Sequence, residues 1–165
     1  MTPKISTGFT LLEMMIVVAI IAILATLAIP TYLSSVAKDQ IVESLALVEQ
    51  LKLPVDRYWQ ASGKLPANNL EAGIPAPKKL IGNYVDAIEL ENGAYHIVFG
   101  KKAVKILQGK ILTVRAITVV GSLASPMSWL CGYSTVPTGM EAVGENRTSV
   151  QPAGLLPVQC RRISN

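Results

Sequence analysis

The sequence predicts an α+β fold, in which a long N-terminal α-helix packs on a four-stranded antiparallel sheet. A helical pattern runs from Thr10 to about residue 62, and every strand-like segment follows it. Two of those segments are separated by Asn92-Gly93, a residue pair that strongly favours a two-residue β-hairpin. Because the helix comes first and the strands after it, we expect an antiparallel meander packed on the amphipathic half of the helix.

The composition is that of one small domain with an apolar N-terminal segment. The chain has 165 residues, of which 50% are apolar and 16% are charged, so a disordered protein is excluded. The apolar excess lies between Phe9 and Ile29, where the only polar side chains are Thr10, Glu13 and Thr26. A net charge of +4 excludes a histone-like nucleic-acid binder but allows a local basic surface.

The long helix has two halves that meet at Pro30. The first half would be roughly 30 Å long, about the thickness of a bilayer core. Pro30 and Pro54 lack the N–H that bonds back into a helix, so we expect a kink or local unwinding at Pro30 and a further bend at Pro54. Beyond Pro30, apolar side chains recur at three- and four-residue steps and predict an amphipathic helix: Val36, Ile41, Leu45, Val48, Leu51 and Val55.

The remaining residues predict a loop, a sheet and a disulfide. Residues 63–83 are rich in Pro, Gly and Asn, and a loop of this length is typical of an interface. Two cysteines, Cys131 and Cys160, favour one disulfide in an oxidising compartment, with two free buried thiols as the alternative. Strands are expected within a sheet spanning residues 84–131, at 84–90, 94–99, 111–119 and 128–131.

Three interpretations of the N-terminus compete. A secretory signal peptide would need a shorter apolar core and no acidic residue at its start. A plain single-span anchor explains the apolar run but leaves Glu13 in lipid without a partner, at a cost of several kcal/mol. The run Gly8-Phe9-Thr10-Leu11-Leu12-Glu13 accounts for both features, because it resembles the cleavage signal of type IV pilins and pseudopilins.

That resemblance implies a processing route. In this family a membrane peptidase cuts after the glycine, here Gly8, and the new N-terminal residue, here Phe9, is then methylated. Residues 1–8 would be the leader, residues 9–30 the membrane anchor and later the filament core, and residues 31–165 the globular head.

Glu13 and Pro30 are the residues expected to serve assembly. Glu13 lies one helical turn from the amine of Phe9 and could pair with it, or with the same amine of a neighbouring subunit. A buried pair of this kind fixes registry more than it adds stability. The alternative is that Glu13 reaches a lipid headgroup and has no role in assembly.

The rest of the chain resembles the head of type IVa pilins. The resemblance implies that residues 131–160 form a disulfide-closed C-terminal loop, the D-region of that family. The segments that carry it follow the family's order: Leu65-Pro66, Asn68-Asn69, Gly82-Asn83-Tyr84-Val85, Asn92-Gly93, Gly109-Lys110-Ile111-Leu112-Thr113-Val114 and Trp129-Leu130-Cys131.

The function implied is that of a structural subunit of a type IV pilus. Its partners would be copies of itself or other pilins, the prepilin peptidase and the inner-membrane assembly machinery. The precursor would lie in the bacterial inner membrane and the assembled filament outside the cell. Such filaments serve adhesion, twitching motility or DNA uptake, and a pseudopilin of a type II secretion system is the alternative.

The sequence carries no pattern typical of an enzyme, a cofactor site or a metal site. His96, the one histidine, falls in a predicted strand and is expected at an edge or on the surface rather than as a base. A group of basic residues has two interpretations, a solvated edge or the sequence-tolerant DNA-binding surface of a minor uptake pilin. Its members are Lys101, Lys102, Lys105, Lys110 and Arg115.

Overall fold

The computed structural model describes residues 8–122 and 125–162, except for the side chains of residues 27–31. Helix α1 (Leu11–Ser62) has the predicted length, and its described backbone is not unwound at Pro30 or at Pro54. The kink expected at Pro30 and the further bend expected at Pro54 stay predictions. The leader also lies outside them, apart from Gly8.

The chain divides into two compact units between Ser34 and Ser35. The first unit contains the apolar start of α1, where every side chain from Leu11 to Thr26 is exposed. The anchor predicted for residues 9–30 includes residues without described side chains and stays a prediction.

Within the part of the chain that the structure describes, no helix combines the length and the hydropathy needed to cross a membrane.

The described residues of the second unit form an antiparallel sheet of five strands, one more than predicted. The strands β1 to β4 lie in chain order, and β5 pairs with the end of β3. Asn92, at φ 47°, and Gly93, at φ 80°, form the predicted turn between β1 and β2. The strands are β1 (Val85–Glu91), β2 (Ala94–Phe99), β3 (Ile111–Val119), β4 (Ser128–Cys131) and β5 (Met140–Ala142).

The inner face of this sheet packs on the amphipathic half of α1, as the sequence predicted. The predicted stripe is buried at Ile41, Val48 and Val55 and partly buried at its other positions, and Ala37 extends it. Tyr95 on β2 is fully buried, and its hydroxyl donates a hydrogen bond of 2.7 Å to the Leu51 carbonyl. Helix and sheet therefore share one apolar core in this unit.

The loop after α1 closes the free edge of β1. Asn69 is buried within it, and its side-chain oxygen accepts a 2.7 Å hydrogen bond from the Leu90 N–H. The amide nitrogen of Asn69 donates to the carbonyls of Pro75 (2.9 Å) and Ile88 (3.1 Å). The backbone groups that an edge strand would otherwise leave unpaired are thus partly satisfied by this one side chain.

Candidate functional site

The start of α1 carries the residues that the sequence singled out for processing and assembly. Phe9 is 78% exposed, and no described atom beyond Gly8 and its chain neighbours lies within 4 Å of where a β-carbon on Gly8 would be. Thr10 caps the helix, because its hydroxyl accepts a hydrogen bond of 3.2 Å from the Glu13 N–H. Glu13 lies in the first helical turn, at the favourable end of the helix dipole.

Sequence reasoning had not identified Thr10 as the cap, although a signal was present. Thr10 and Glu13 stand in the spacing of a capping box, in which a Thr and a Glu three residues later frame a helix start. The helix that begins at Leu11 therefore places the Glu13 carboxylate within one turn of Phe9.

The C-terminal region is closed by a disulfide between Cys131 and Cys160, as expected. The bridge joins the end of β4 to a 3₁₀ turn (Val158–Cys160) and spans 29 residues of sequence. Closing a loop of that size stabilises a fold by about 3.5 kcal/mol in the chain-entropy model. Between the two cysteines lie β5 and a segment that runs across the sheet.

We define the crossing segment as residues 143–149, which pass over the outer face of the sheet from one side of β3 to the other. The Val143 N–H donates to the Ala116 carbonyl (2.9 Å), on the side of β3 where β2 lies. The Ser149 N–H donates to the Ile111 carbonyl (2.8 Å), on the side where β4 lies. Between these two contacts the Arg147 N–H bonds to the side chain of Thr113, which lies on the outer face because its neighbours Leu112 and Val114 face the core. The segment therefore crosses that face.

Arg147 is one of several residues that hold the crossing segment, beside Asn146, Thr148 and Ser149. The Arg147 guanidinium lies 3.1 Å from Glu91 and 3.5 Å from Glu89, both on the outer face of β1. Its backbone N–H donates to the Thr113 hydroxyl on β3 (3.0 Å). Sequence reasoning had missed this contact, since nothing local in the sequence relates Arg147 to β1.

His96 lies beneath the crossing segment, so its expected place at an edge or on the surface is wrong. It belongs to β2, which pairs with β1 on one side and β3 on the other, and the residue is fully buried. Its Nδ1 shares a 3.1 Å hydrogen bond with the Thr113 hydroxyl. Its Nε2 has no hydrogen-bond partner among the described residues and lies 3.7 Å from the Glu91 carboxylate.

The basic residues considered for DNA binding lie in three places: the loop between β2 and β3, the position before β3, and β3 itself. Lys101, Lys102 and Lys105 are exposed in the loop between β2 and β3, where Gln108 donates to the Lys101 carbonyl (2.9 Å). Lys110 is half-buried just before β3 begins. Arg115 lies five residues further along the chain, roughly 17 Å away at the usual rise of a strand, and its partial burial lowers the pKa of the guanidinium.

Comparison with known proteins gives the class to which this arrangement belongs. The pilin family, described as a bacterial filament, matches residues 37–161. The prokaryotic N-terminal methylation motif matches residues 4–29. The first match covers most of the chain, and the second contains both the Gly8–Phe9 junction and Glu13.

Individual relatives agree with the family match. The type IV major pilin protein PilE1 of Neisseria gonorrhoeae is 36% identical over 160 residues, covering 93% of this chain and 86% of the relative. A fimbrial protein of Neisseria meningitidis is 32% identical over 96% of this chain and 95% of its own length. The fimbrial protein EcpC of Eikenella corrodens is 37% identical over 79% of this chain and 85% of its own. The chain therefore belongs to the type IV pilin family, whose members are structural subunits of bacterial filaments.

Proposed function

We propose that this chain is made as a precursor, cut between Gly8 and Phe9, methylated on Phe9 and polymerised through its N-terminal helix into a type IV pilus. The observation that carries the proposal is an α-helix whose apolar side chains are exposed on every side and whose first turn holds Glu13. A helix of this kind requires an apolar medium or apolar neighbours. The inner membrane would supply the apolar medium before assembly. In the filament, identical helices would supply the apolar neighbours.

The geometry at the start of the helix supports a role for Glu13 in assembly. A cut after Gly8 would leave the amine of Phe9 one residue before the helix cap, within one turn of the Glu13 carboxylate. In an apolar bundle an unpaired carboxylate is costly, so pairing with the amine of a neighbouring subunit would fix the axial position of each subunit. The prepilin peptidase and the inner-membrane assembly machinery are the further partners that this route requires.

The mass of the mature chain tests the processing route. Mass spectrometry of the protein purified from its own cells should show the loss of residues 1–8, one added methyl group and two fewer hydrogens for the Cys131–Cys160 disulfide. A mature N-terminus near Ile29 would instead identify an ordinary signal peptide and contradict the proposal.

Electron microscopy of a deletion strain separates the pilus from the alternative secretion function. Loss of surface filaments is expected when the chain is deleted, and the chain should be abundant in filaments sheared from wild-type cells. Loss of protein secretion with surface filaments intact would favour the pseudopilin. Adhesion and twitching motility would also be compared between the deletion strain and wild-type cells.

A second candidate function, capture of DNA by the filament, rests on the loop between β2 and β3. Lys101, Lys102 and Lys105 are exposed within five residues, and none forms an ion pair within the described ranges. Contacts of such lysines to phosphates would be sequence-tolerant and weakened by salt. Replacing Lys101 and Lys105 by Gln should weaken DNA binding by sheared filaments, whereas Arg115→Gln should not. If filaments of the two variants bind DNA equally well, this loop is excluded as the DNA-binding site.

A further inference from the structure

The outer face of the sheet contains a buried titratable group that the filament function does not use. The side chain of His96 is 1% exposed, although a polar residue on the outer face of a sheet would ordinarily meet water. The crossing segment keeps water away from it, and one ring nitrogen has no hydrogen-bond partner among the described residues.

We propose that His96 and the crossing segment form an acid-sensitive latch, in which protonation of the buried imidazole releases the crossing segment from the outer face of the sheet. With a neutral ring, Thr113 connects the two parts: its hydroxyl bonds to His96 Nδ1 and also accepts from the Arg147 N–H. A proton on the ring would add a second cation beside Arg147 in a space closed to solvent.

Charged groups from three elements face the imidazole. Glu91 and Glu89 on β1 attract a protonated ring, as does Glu145 of the crossing segment. Arg147 repels it, and Arg115 lies two residues beyond Thr113 on the outer face of β3. Burial lowers the pKa of His96 most, and Arg147 lowers it further. The three carboxylates raise it by less, so the pKa stays below its ordinary value of 6.5.

The direction of the pH response follows from the lowered pKa of His96. When the crossing segment is open, the ring meets water and recovers its ordinary pKa, so the open form binds the proton more readily than the closed form. Closure is therefore fully favoured above about pH 6.5 and weakens as the pH falls toward the lowered pKa of the closed form. Over that interval the fraction of open molecules rises up to about tenfold for each pH unit.

Two measurements on the full-length chain in detergent micelles test the latch. His96 is the single histidine, so NMR of histidine-labelled protein reports its titration without ambiguity. Hydrogen exchange, corrected for the intrinsic pH dependence, reports opening at the amides of Val143, Arg147 and Ser149. Between about pH 7.5 and pH 5 the ring should titrate below its ordinary value, and protection of these amides should fall with it. The paired amides of β1 and β2 should stay protected.

Two variants separate the latch from general acid sensitivity. His96→Leu cannot take a proton and should make protection of the crossing segment independent of pH. Glu91→Gln keeps the histidine but removes an attracting charge, so the ring of the closed form should titrate at lower pH. The loss of protection should still begin at about pH 6.5, which the open form sets, and should continue down to that lower pH. If His96→Leu does not fold, the shift in Glu91→Gln decides alone.

Three results would overturn the proposal. One is unchanged protection of the crossing segment while the ring titrates. The second is a ring that titrates at or above its ordinary value. The third is equal loss of protection in β1 and β2, which would indicate global unfolding instead of release of one segment.

Discussion

The backbone of Gly144 lies directly against Ala94 at the point where the crossing segment passes over the β1–β2 hairpin. A β-carbon on Gly144 would lie 2.6 Å from the Ala94 Cβ and 3.0 Å from the Asn92 carbonyl oxygen, and Gly144 has φ +80°. Ala94 is fully buried at this contact. The close approach of the crossing segment to the hairpin thus depends on small residues at both positions, Gly144 and Ala94.

Gly144→Ala is expected to destabilise the fold for two reasons, the positive φ of Gly144 and a clash of the new β-carbon with Ala94. An L-residue at positive φ costs roughly 1–2 kcal/mol, and the clash with Ala94 adds to that cost. Gly139→Ala is the matched control, because Gly139 has φ +82° and no described atom beyond its chain neighbours lies within 4 Å of where its β-carbon would be. Thermal unfolding should show Gly144→Ala to be the less stable by at least about 1 kcal/mol. Equal stability of the two variants would mean that the crossing segment shifts freely.

Asn69→Ala is expected to cost about 1–3 kcal/mol, because it leaves the buried Leu90 N–H without its acceptor. The change also removes the amide that donates to the Ile88 carbonyl. Asn83→Ala is the control, since the Asn83 side chain bonds to Glu43 at the surface among the described contacts. Its effect should stay within about 0.5 kcal/mol. Chemical denaturation of both variants measures the difference, and similar midpoints would contradict the role given to Asn69.

Asp56→Asn is expected to raise stability slightly near neutral pH and to have no such effect in acid. Burial raises the pKa of Asp56 above its ordinary value of 3.8, and Lys52 only partly opposes this. The folded state therefore binds the proton more tightly than the unfolded chain, so this carboxyl lowers stability as the pH rises through the raised pKa. The gain should be below about 0.5 kcal/mol, because Asp56 is partly exposed and solvent screens it.

Asp39→Asn provides the comparison for Asp56, because Asp39 is exposed on the same helix. The unfolding midpoint of Asp56→Asn should exceed that of the parent at about pH 7 and match it at about pH 3, whereas Asp39→Asn should match the parent at both. A gain in stability for Asp56→Asn that is as large in acid as at neutral pH would show that the charge is not its cause.

Features with a local signal could be predicted from the sequence, and features that depend on distant contacts could not. The helix, its buried stripe at Ile41 and Val48, and the Asn92-Gly93 turn follow from periodicity and turn chemistry. The three residues of β5 have no such pattern and form a strand only by pairing with Ile117–Val119. His96 is likewise connected, through the Thr113 hydroxyl, to Arg147, which lies 51 residues later in the chain.

The basic residues were grouped by closeness in sequence, which does not by itself give closeness in space. Lys110 and Arg115 are five residues apart, but an extended chain separates them by roughly 17 Å. In a helix the same separation would be only about 7.5 Å. Three of the predicted lysines remain together because they occupy one loop.

Glu13→Leu is expected to abolish or strongly reduce pilus assembly while leaving the subunit in the membrane. The change removes the charge from the apolar run, so membrane insertion should be unaffected or improved. The head should stay folded, because its core begins at Ala37. Assembly should fail because an incoming subunit no longer presents a carboxylate to the amine of a neighbour.

Glu13→Asp provides the graded control, since it keeps the charge on a shorter side chain and should assemble at an intermediate level. Surface filaments would be counted by electron microscopy, with processed subunit in the membrane measured in parallel so that lost synthesis is not mistaken for lost assembly. Thr10→Ala is a further control: it removes the helix cap, at a cost of about 1 kcal/mol, without touching the carboxylate. Filament numbers equal to wild type with Leu at position 13 would mean that the carboxylate has no role in assembly, and that Glu13 only reaches toward the lipid headgroups.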